Sequence, residues 1–374
     1  MRKLLKDVYL GLRAPLLNCA GRLFRAAPPP ESLSRPRKIL FIRIDRIGDV
    51  VLSLPAIRAV KEKYPSAEVC VLAGPVTAPL LACEPGVGRV LIWNPSRGLR
   101  KALGTVIGLR KESFDLAIDP CADHTLKTAV LAFASGAKLR AGYEAYGRGI
   151  FFNLRASLPR ERGHFVEEAF GVLRLLGIGR DGREPQLHVG DGARAEASAF
   201  LKERGVDDKD FLAAVHPGGY YPSQRWSPGG FAEVLRGLMA RRGAKILLIG
   251  SGAERGLVEG IAARASAGPD KKNIIEVIDP GTDVLSALIG KCRVFIGNNS
   301  GPLHLAAALG VPSVSTMGPT DPVRWSPLGP DQLVLKGSAP CGPCLSGSPG
   351  AHECMKDITA EMVLSAVERI LGRL

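Results

Sequence analysis

From Lys38 onward, short continuous apolar runs alternate with longer amphipathic stretches. Such runs suit strands buried on both faces of a parallel sheet, and the stretches between them suit the covering helices. ILFIRI (39–44), EVCVLA (68–73), VLIW (90–93) and FDLAID (114–119) predict four strands, with a helix near 49–63 between the first two. A polar, glycine-rich passage follows at about 179–209. Beyond it, strands are expected at 211–216, 245–250, 273–278, 293–297 and 313–317, separated by helices near 228–241, 253–266, 282–291 and 302–309. The pattern therefore predicts two doubly wound α/β units. A last helix, opened by Thr359 as N-cap, places Val363, Val367, Ile370, Leu371 and Leu374 on one face, which must dock on something apolar.

Upstream, Leu5, Val8, Tyr9, Leu12 and Leu16 fall at helical spacing while Arg2, Lys6 and Arg13 point elsewhere around the wheel. That pattern fits a basic helix lying in a headgroup layer, and equally a basic tail or a helix packed on the body. No run reaches the roughly 18 residues needed to span a bilayer. The stretch Val8 to Phe24 is broken by Arg13, Pro15, Asn18 and Arg22 and lacks a cleavage site, so export is not expected.

Charge sharpens this picture. Lys and Arg number 50 against 36 Asp and Glu, a net +14, which invites an anionic partner. Residues 1–38 hold nine basic and two acidic side chains, so half of the excess lies in the extension. No module interleaves aromatic with basic residues, and a nucleic-acid partner is not expected. The eight cysteines are scattered apart from one late cluster, in a chain too long to need disulfide staples, which suits a reducing cytoplasm.

In open α/β sheets ligands bind beyond the carboxyl ends of the strands, so the loops after strands are where chemistry is expected. In IRIDRIGDVVLSLP, Asp45 and Asp49 sit where a strand turns through Gly48 into a helix. Either carboxylate there serves as a general base or simply caps the helix. In HPGGYYPSQRWSPGGF, Gly218 and Gly219 leave backbone amides accessible, Ser227 and Pro228 make an N-cap pair, and Gln224 and Arg225 lie just before it. Arg225 either grips a phosphate or is a solvated surface charge. In FIGNNSGPLHLAAALGVP, Asn299, Ser300 and Gly301 form a turn into an apolar helix whose first amides offer an anion site. His304 near its start either adds a donor or is structural. GSGAERG (250–256) loosely resembles a dinucleotide fingerprint, and its Glu254 either bonds a ribose or opens a helix. Cys341, Cys344, His352 and Cys354 have ligand types that suit zinc, or are free thiols or a disulfide. The only DxD, Asp208 to Asp210, precedes its strand and so lies at the wrong edge for a cleft-facing metal.

Taken together, ILFIRIDRIGDVVLSLPAIRAVKEKYP, HPGGYYPSQRWSPGGFAEV, FIGNNSGPLHLAAALGVPSVSTMGPTDPVRWSP and CGPC with CMKDIT resemble glycosyltransferase family 9, the ADP-heptose:lipopolysaccharide heptosyltransferases. The resemblance runs from about Lys38 to the end. It implies the GT-B architecture, two Rossmann-like doubly wound domains facing a central cleft. The implied division is a basic extension (1–37), an acceptor-binding domain (38–190), a nucleotide-sugar-binding domain (191–355) and a C-terminal helix (356–374). It also implies inverting transfer of a heptose-type sugar without an obligatory metal or cofactor, with Asp49 as the base. The donor diphosphate falls to Asn299, Ser300, Gly301 and His304, supported by Gly218, Gly219, Gln224, Arg225 and Glu254. Many members have Asp and Thr where this chain has Asn299 and Ser300, and commonly a phosphate-binding Lys in place of Gln224. Arg225 takes over that charge, or donor affinity or identity differs. The implied partners are a nucleotide-sugar donor and a glycolipid or oligosaccharide acceptor; the basic extension, outside the resemblance, adds the expectation of an anionic membrane surface met by residues 1–34, on the cytoplasmic face of the inner membrane. The competing readings are a nucleotide-binding oxidoreductase built on GSGAERG and a transferase-like glycan-binding protein silenced by Gln224.

Overall fold

A computed structural model describes residues 35–266, 272–337 and 353–372, with Arg13, Pro15 and Leu17. The chain divides into two compact units, one ending at Arg183 and one beginning at Glu184, ahead of the expected boundary at 190.

The first unit runs β1 (Lys38–Arg43), α1 (Ile47–Val51), α2 (Leu54–Lys63), β2 (Glu68–Ala73), α3 (Ala78–Leu81), β3 (Arg89–Ile92), α4 (Leu99–Lys111), β4 (Leu116–Asp119), α5 (Lys127–Ala134), β5 (Leu139–Tyr143), β6 (Leu154–Ala156) and α6 (Val166–Leu173). The second runs α7 (Asp191–Glu203), β7 (Leu212–His216), α8 (Pro228–Arg242), β8 (Lys245–Gly250), α9 (Arg255–Ala265), β9 (Ile274–Ile278), α10 (Thr282–Gly290), β10 (Val294–Asn298), α11 (Gly301–Ala308), β11 (Ser313–Met317), α12 (Pro322–Trp325), β12 (Gln332–Lys336) and α13 (Ala360–Leu371).

The two sheets share one plan. Their orders are β3-β2-β1-β4-β5-β6 and β12-β11-β10-β7-β8-β9, with the strands paired in parallel. Each is the Rossmann order, which reverses direction at one point: between β1 and β4 in the first unit, between β7 and β10 in the second. Ligands of doubly wound sheets bind at this switch point, beyond the carboxyl ends of the strands. It is flanked by the loops after Arg43 and Asp119 in one unit, and after His216 and Asn298 in the other.

Local chemistry explains where the elements depart from the pattern. The single helix expected over 49–63 is two, because Pro55 has no N–H to give the Val51 carbonyl and the chain restarts at Leu54. Strand β5 (LRAGY) has no continuous apolar run. Its Gly142 lies beneath the Phe152 ring, which a Cβ would meet at 2.4 Å. Strand β6 has three residues and β12 is a half-buried edge, so neither stands out in sequence. The passage 179–209 contains α7, whose pattern is weak because only Ala197 and Leu201 are buried.

Leu40, Ile42, Leu72, Leu109, Leu131 and Phe152 centre the first core. In the second, Val215, Ile246, Ile296 and Val314 meet Phe231 and Leu235 of α8. Helix α13, capped by Thr359 at the Met362 amide, docks Val363, Val367 and Ile370 into that same core. Each such side chain contributes roughly 1.5–3 kcal/mol. Leu374 lies outside the described residues, as do most of the extension and Cys341, Cys344 and His352.

Candidate active site

Strand β1 ends in Arg43, whose side chain is buried at 2% exposure with its guanidinium over the Phe165 ring at 5.0 Å. A buried cation needs partners. Arg43 Nη1 donates to Asp45 Oδ2 (3.2 Å), and Nε donates to the backbone carbonyl of Asp49 (3.2 Å). Asp49 lies in the first turn of α1, and its Oδ2 accepts from the Arg46 amide at 3.2 Å, so it does cap the helix. Its Oδ1 takes no hydrogen bond among the described residues. Burial raises the Asp49 pKa above the ordinary carboxylate value, and Asp45 pushes it the same way, while Arg43 and the Arg46 amide oppose them. A carboxylate with one oxygen anchored, one open and a raised proton affinity is suited to accept a proton.

Across the switch point, the loop after β4 is held by Arg148, which is fully buried. Its guanidinium donates to the Asp119 carboxylate, to the carbonyls of Cys121 and Asp123, and to Thr128 Oγ1. It reaches that loop from a 3-10 segment, Ala145–Phe151, in which Tyr146 (φ 56°) and Gly147 (φ 79°) are left-handed. This clamp fixes residues 120–126 beside the Asp45–Asp49 turn. Cys121 lies within it, and burial pushes its thiol pKa up, which disfavours the thiolate.

In the second unit, Asn298 closes β10 and is fully buried. Its Nδ2 donates to the carbonyls of Pro217 (2.8 Å) and Gly218 (3.0 Å), and its Oδ1 accepts from the Trp226 amide (2.9 Å) and Thr316 Oγ1 (2.8 Å). One amide thus ties together the ends of β10 and β11 and both ends of the loop after β7. The Trp226 indole in turn donates to the Ile358 carbonyl at 3.0 Å, setting the loop on the segment before α13.

Glu254 organises the same loop from the other side. Its Oε1 accepts from the Gly219 amide (2.9 Å) and Arg225 Nη2 (3.4 Å), and its Oε2 from the amide and hydroxyl of Ser251 (3.0 and 2.8 Å). His216 Nε2 stands 3.7 Å from Oε2, and His216 Nδ1 is 3.0 Å from Ser300 Oγ. Burial opposes ionisation of Glu254, but the His216 ring and the Ser251 and Gly219 amides hold its pKa well below the ordinary carboxylate range. Ser300 is the N-cap residue of α11, yet its hydroxyl turns to His216 and the Asn298 carbonyl rather than capping the helix. Pro302 has no N–H and the Leu303 amide donates to the Ser300 carbonyl (3.2 Å), which leaves the Ser300 and Gly301 amides to meet an anion.

A family model for glycosyltransferase family 9 (heptosyltransferase) matches residues 105–352. The chain belongs to glycosyltransferase family 9. It is 26% identical over 354 residues to lipopolysaccharide heptosyltransferase 2 of Salmonella typhimurium, covering 90% of this chain and 99% of that one. It is 27% identical over 287 residues to lipopolysaccharide heptosyltransferase 3 of Escherichia coli, covering 75% and 82%. In fold it is similar to the solved ADP-heptose lipopolysaccharide heptosyltransferase II of E. coli (TM-score 0.76, 24% identity, 90% and 99% covered). It is also similar to a glycosyltransferase family 9 protein of Veillonella parvula (TM-score 0.78, 20% identity, 91% and 99% covered). The two doubly wound units are thus those of a glycosyltransferase, and the oxidoreductase alternative falls away.

Within this glycosyltransferase, Gly218, Gly219, Gln224, Arg225, Glu254, Asn299, Ser300, Gly301 and His304 come from three stretches of sequence, after β7, β8 and β10, which meet through the bonds just described. Two expectations need correction. The Gly219 amide is not open, because Glu254 accepts from it. Arg225 is not a free surface charge either: Nε and Nη2 donate to the Gly219 carbonyl (2.9 and 2.6 Å), leaving Nη1 outside these bonds. A Cβ at Gly218 would stand 2.2 Å from Glu254 Oε1, so any larger residue there would push that carboxylate out of place. Gln224 ends the 3-10 turn Pro222–Gln224, half-buried beside Arg225. His304 is buried in the first turn of α11. GSGAERG forms a capping box between Ser251 and Glu254, and the Gly252 amide is taken by Asp279. Asp210 precedes β7 at the amino-terminal edge of the sheet and pairs with Lys245. Cys354 is buried, and among the described residues no group of three His, Cys, Asp or Glu is placed to hold a metal.

Sequence reasoning missed Arg43, Arg148, His216 and Asn298. Arg43, His216 and Asn298 close strands and Arg148 lies in the 3-10 segment after β5; all but Arg43, which bonds Asp45 and Asp49, act through partners distant in sequence. Their only local signal is a polar residue closing an apolar run, and Arg148 lacks even that.

Proposed function

We propose that this glycosyltransferase moves a heptose from ADP-heptose to a lipopolysaccharide-core or related glycan acceptor with inversion at the anomeric carbon. Asp49 removes the proton from an acceptor hydroxyl as that oxygen forms its bond to the anomeric carbon. The bond from that carbon to the diphosphate breaks on the opposite face, and ADP departs with the electron pair. The amides at the start of α11, with Ser300, His304 and Arg225, meet the charge developing on the departing oxygen. A well-placed donor of this kind is worth about 3–4 kcal/mol. The observation that carries the reading is the Asp49 carboxylate, half-anchored beside the switch point of its sheet with its pKa raised by burial.

Heptose is supported by the names of the relatives, heptosyltransferases matched over 90% and 75% of this chain, and ADP by the solved ADP-heptose lipopolysaccharide heptosyltransferase II of similar fold. Transfer without an obligatory metal is supported by the position of the only DxD, with Asp210 committed to Lys245. The test is a panel of nucleotide sugars assayed for transfer in the presence of EDTA. ADP-heptose is expected to be the preferred donor. Preference for another nucleotide sugar would replace the donor, loss of turnover in EDTA would remove the metal-independent mechanism, and donor binding without any turnover would favour a Gln224-silenced binding protein.

The basic extension supports a peripheral position on an anionic membrane surface, met by residues 1–34. Among the described residues no helix is long and apolar enough to cross a membrane. Deleting 1–34 is expected to weaken binding to anionic vesicles while sparing turnover on a soluble acceptor. Equal vesicle binding by the shortened chain would defeat this anchor.

A further inference from the structure

Large apolar side chains left exposed singly need no explanation, but a group of them does. Helices α4 and α5 lie against each other and bury Leu109, Ala129, Leu131 and Ala132 in the first core. Both also carry apolar side chains on the outside. Leu103 (58% exposed) and Ile107 (48%) are one turn apart on α4, and Val130 (43%) and Phe133 (54%) one turn apart on α5. A helix covering a sheet is expected to be polar on its outer face. Here the outer face of α4 also carries Gly104 and Gly108, where a Cβ would meet nothing within 4 Å, so packing inside the unit does not require glycine.

The charge around these residues has one sign. Helix α4 carries Arg100, Lys101, Arg110 and Lys111, α5 begins with Lys127, and neither helix contains an acidic residue. All five are exposed, and none makes a side-chain hydrogen bond or ion pair among the described residues. The surface therefore combines apolar side chains with unpaired cations, the combination that rests in the headgroup layer of an anionic membrane.

We propose that the outer face of α4 and α5 is a membrane-docking surface that binds anionic phospholipid, with Leu103, Ile107, Val130 and Phe133 in the acyl boundary and the flanking cations on the headgroups. Charge complementarity selects this occupant. A second copy meeting the same face would set these cations against their equals, and the extension carries nine basic residues against two acidic in 1–38. Arg13 of the extension is instead tied beside the surface. The Arg13 guanidinium donates to the carbonyls of His124 (2.7 Å) and Tyr146 (2.8 Å), and His124 lies just before α5. The proposal does not depend on which sugar is transferred.

The experiment is flotation of the full chain with vesicles of phosphatidylcholine, with and without phosphatidylglycerol, alongside gel filtration and a thermal melt. The double substitution Leu103→Glu, Ile107→Glu is expected to lower partition onto the anionic vesicles about tenfold, and Arg100→Glu, Lys101→Glu to lower it comparably. Met362→Glu, on exposed surface of the second unit, is expected to leave it unchanged. The melt and donor turnover should be unaltered throughout, since neither double substitution touches a buried side chain. Equal partition by the substituted and parent chains would overturn the proposal. So would equal binding of the parent to vesicles lacking phosphatidylglycerol, or a change of oligomeric state in the Leu103→Glu, Ile107→Glu chain, which would assign the face to self-association.

Discussion

Asp49 and Glu254 are both largely buried carboxylates beyond the ends of strands in sheets of the same order, yet their pKa values move in opposite directions. The difference lies in the donors. The Asp49 carboxylate receives one amide at 3.2 Å, and the buried Arg43 guanidinium spends its bonds on Asp45 and on the Asp49 carbonyl. Glu254 receives two amides, a hydroxyl and a guanidinium, with an imidazole close by. Burial without enough donors leaves a carboxylate that welcomes a proton, whereas burial with a full set makes a permanent anion. The first is fit for proton transfer and the second for scaffolding. Glu254 contributes its full stabilisation above the ordinary carboxylate range, and that contribution is lost only as pH falls below it. The pH dependence of turnover should therefore report Asp49.

Replacing Asp49 by Asn separates the two roles most sharply. Turnover is expected to fall by about 10²–10⁴-fold with ADP affinity unchanged, since a general base typically supplies that factor. Turnover within a few-fold of the parent, measured by ADP release, would take the proton-accepting role away from this residue. Converting Glu254 to Gln should instead act on the scaffold. The shape is kept, but Arg225 loses its counter-charge, so a loss of about 1–3 kcal/mol in unfolding free energy and weaker ADP binding are expected. Denaturant melts and calorimetric titration would show this, and an unchanged midpoint with unchanged affinity would mean the loop does not lean on that charge. The smallest effect is expected at Arg43, whose positive charge lowers the Asp49 pKa. Arg43→Gln should move the acid limb of the kcat/KM profile upward by about one pH unit, while Arg43→Lys restores it. A limb that stays in place in Arg43→Gln would show that Arg43 does not tune the base.

Much of the scaffold is visible in the linear pattern because its cause is local. The runs at 39–44, 68–73 and 245–250 become β1, β2 and β8, and Ser227 and Thr359 cap the helices they precede through their own side-chain oxygens. Strand β5 is hidden because Gly142 answers to the Phe152 ring, a neighbour ten residues on. The site divides in the same way. Asp49 is conspicuous in its turn, but whether it caps a helix or could accept a proton depends on Arg43, Asp45 and burial together, and the structure shows capping by one oxygen with the other left open.

What the order of residues settled unaided is the α/β alternation, the family and the loops that carry polar groups, because strand burial, helix capping and glycine turns are decided within a few positions of chain. What required the folded molecule is the state of those groups. The Asp49 pKa depends on burial in the folded unit, a clamp such as Arg148 depends on partners more than twenty residues away, and Asn298 reaches back to Pro217 and Gly218. Only the strand order, which brings the ends of β7 and β10 side by side, makes those contacts possible.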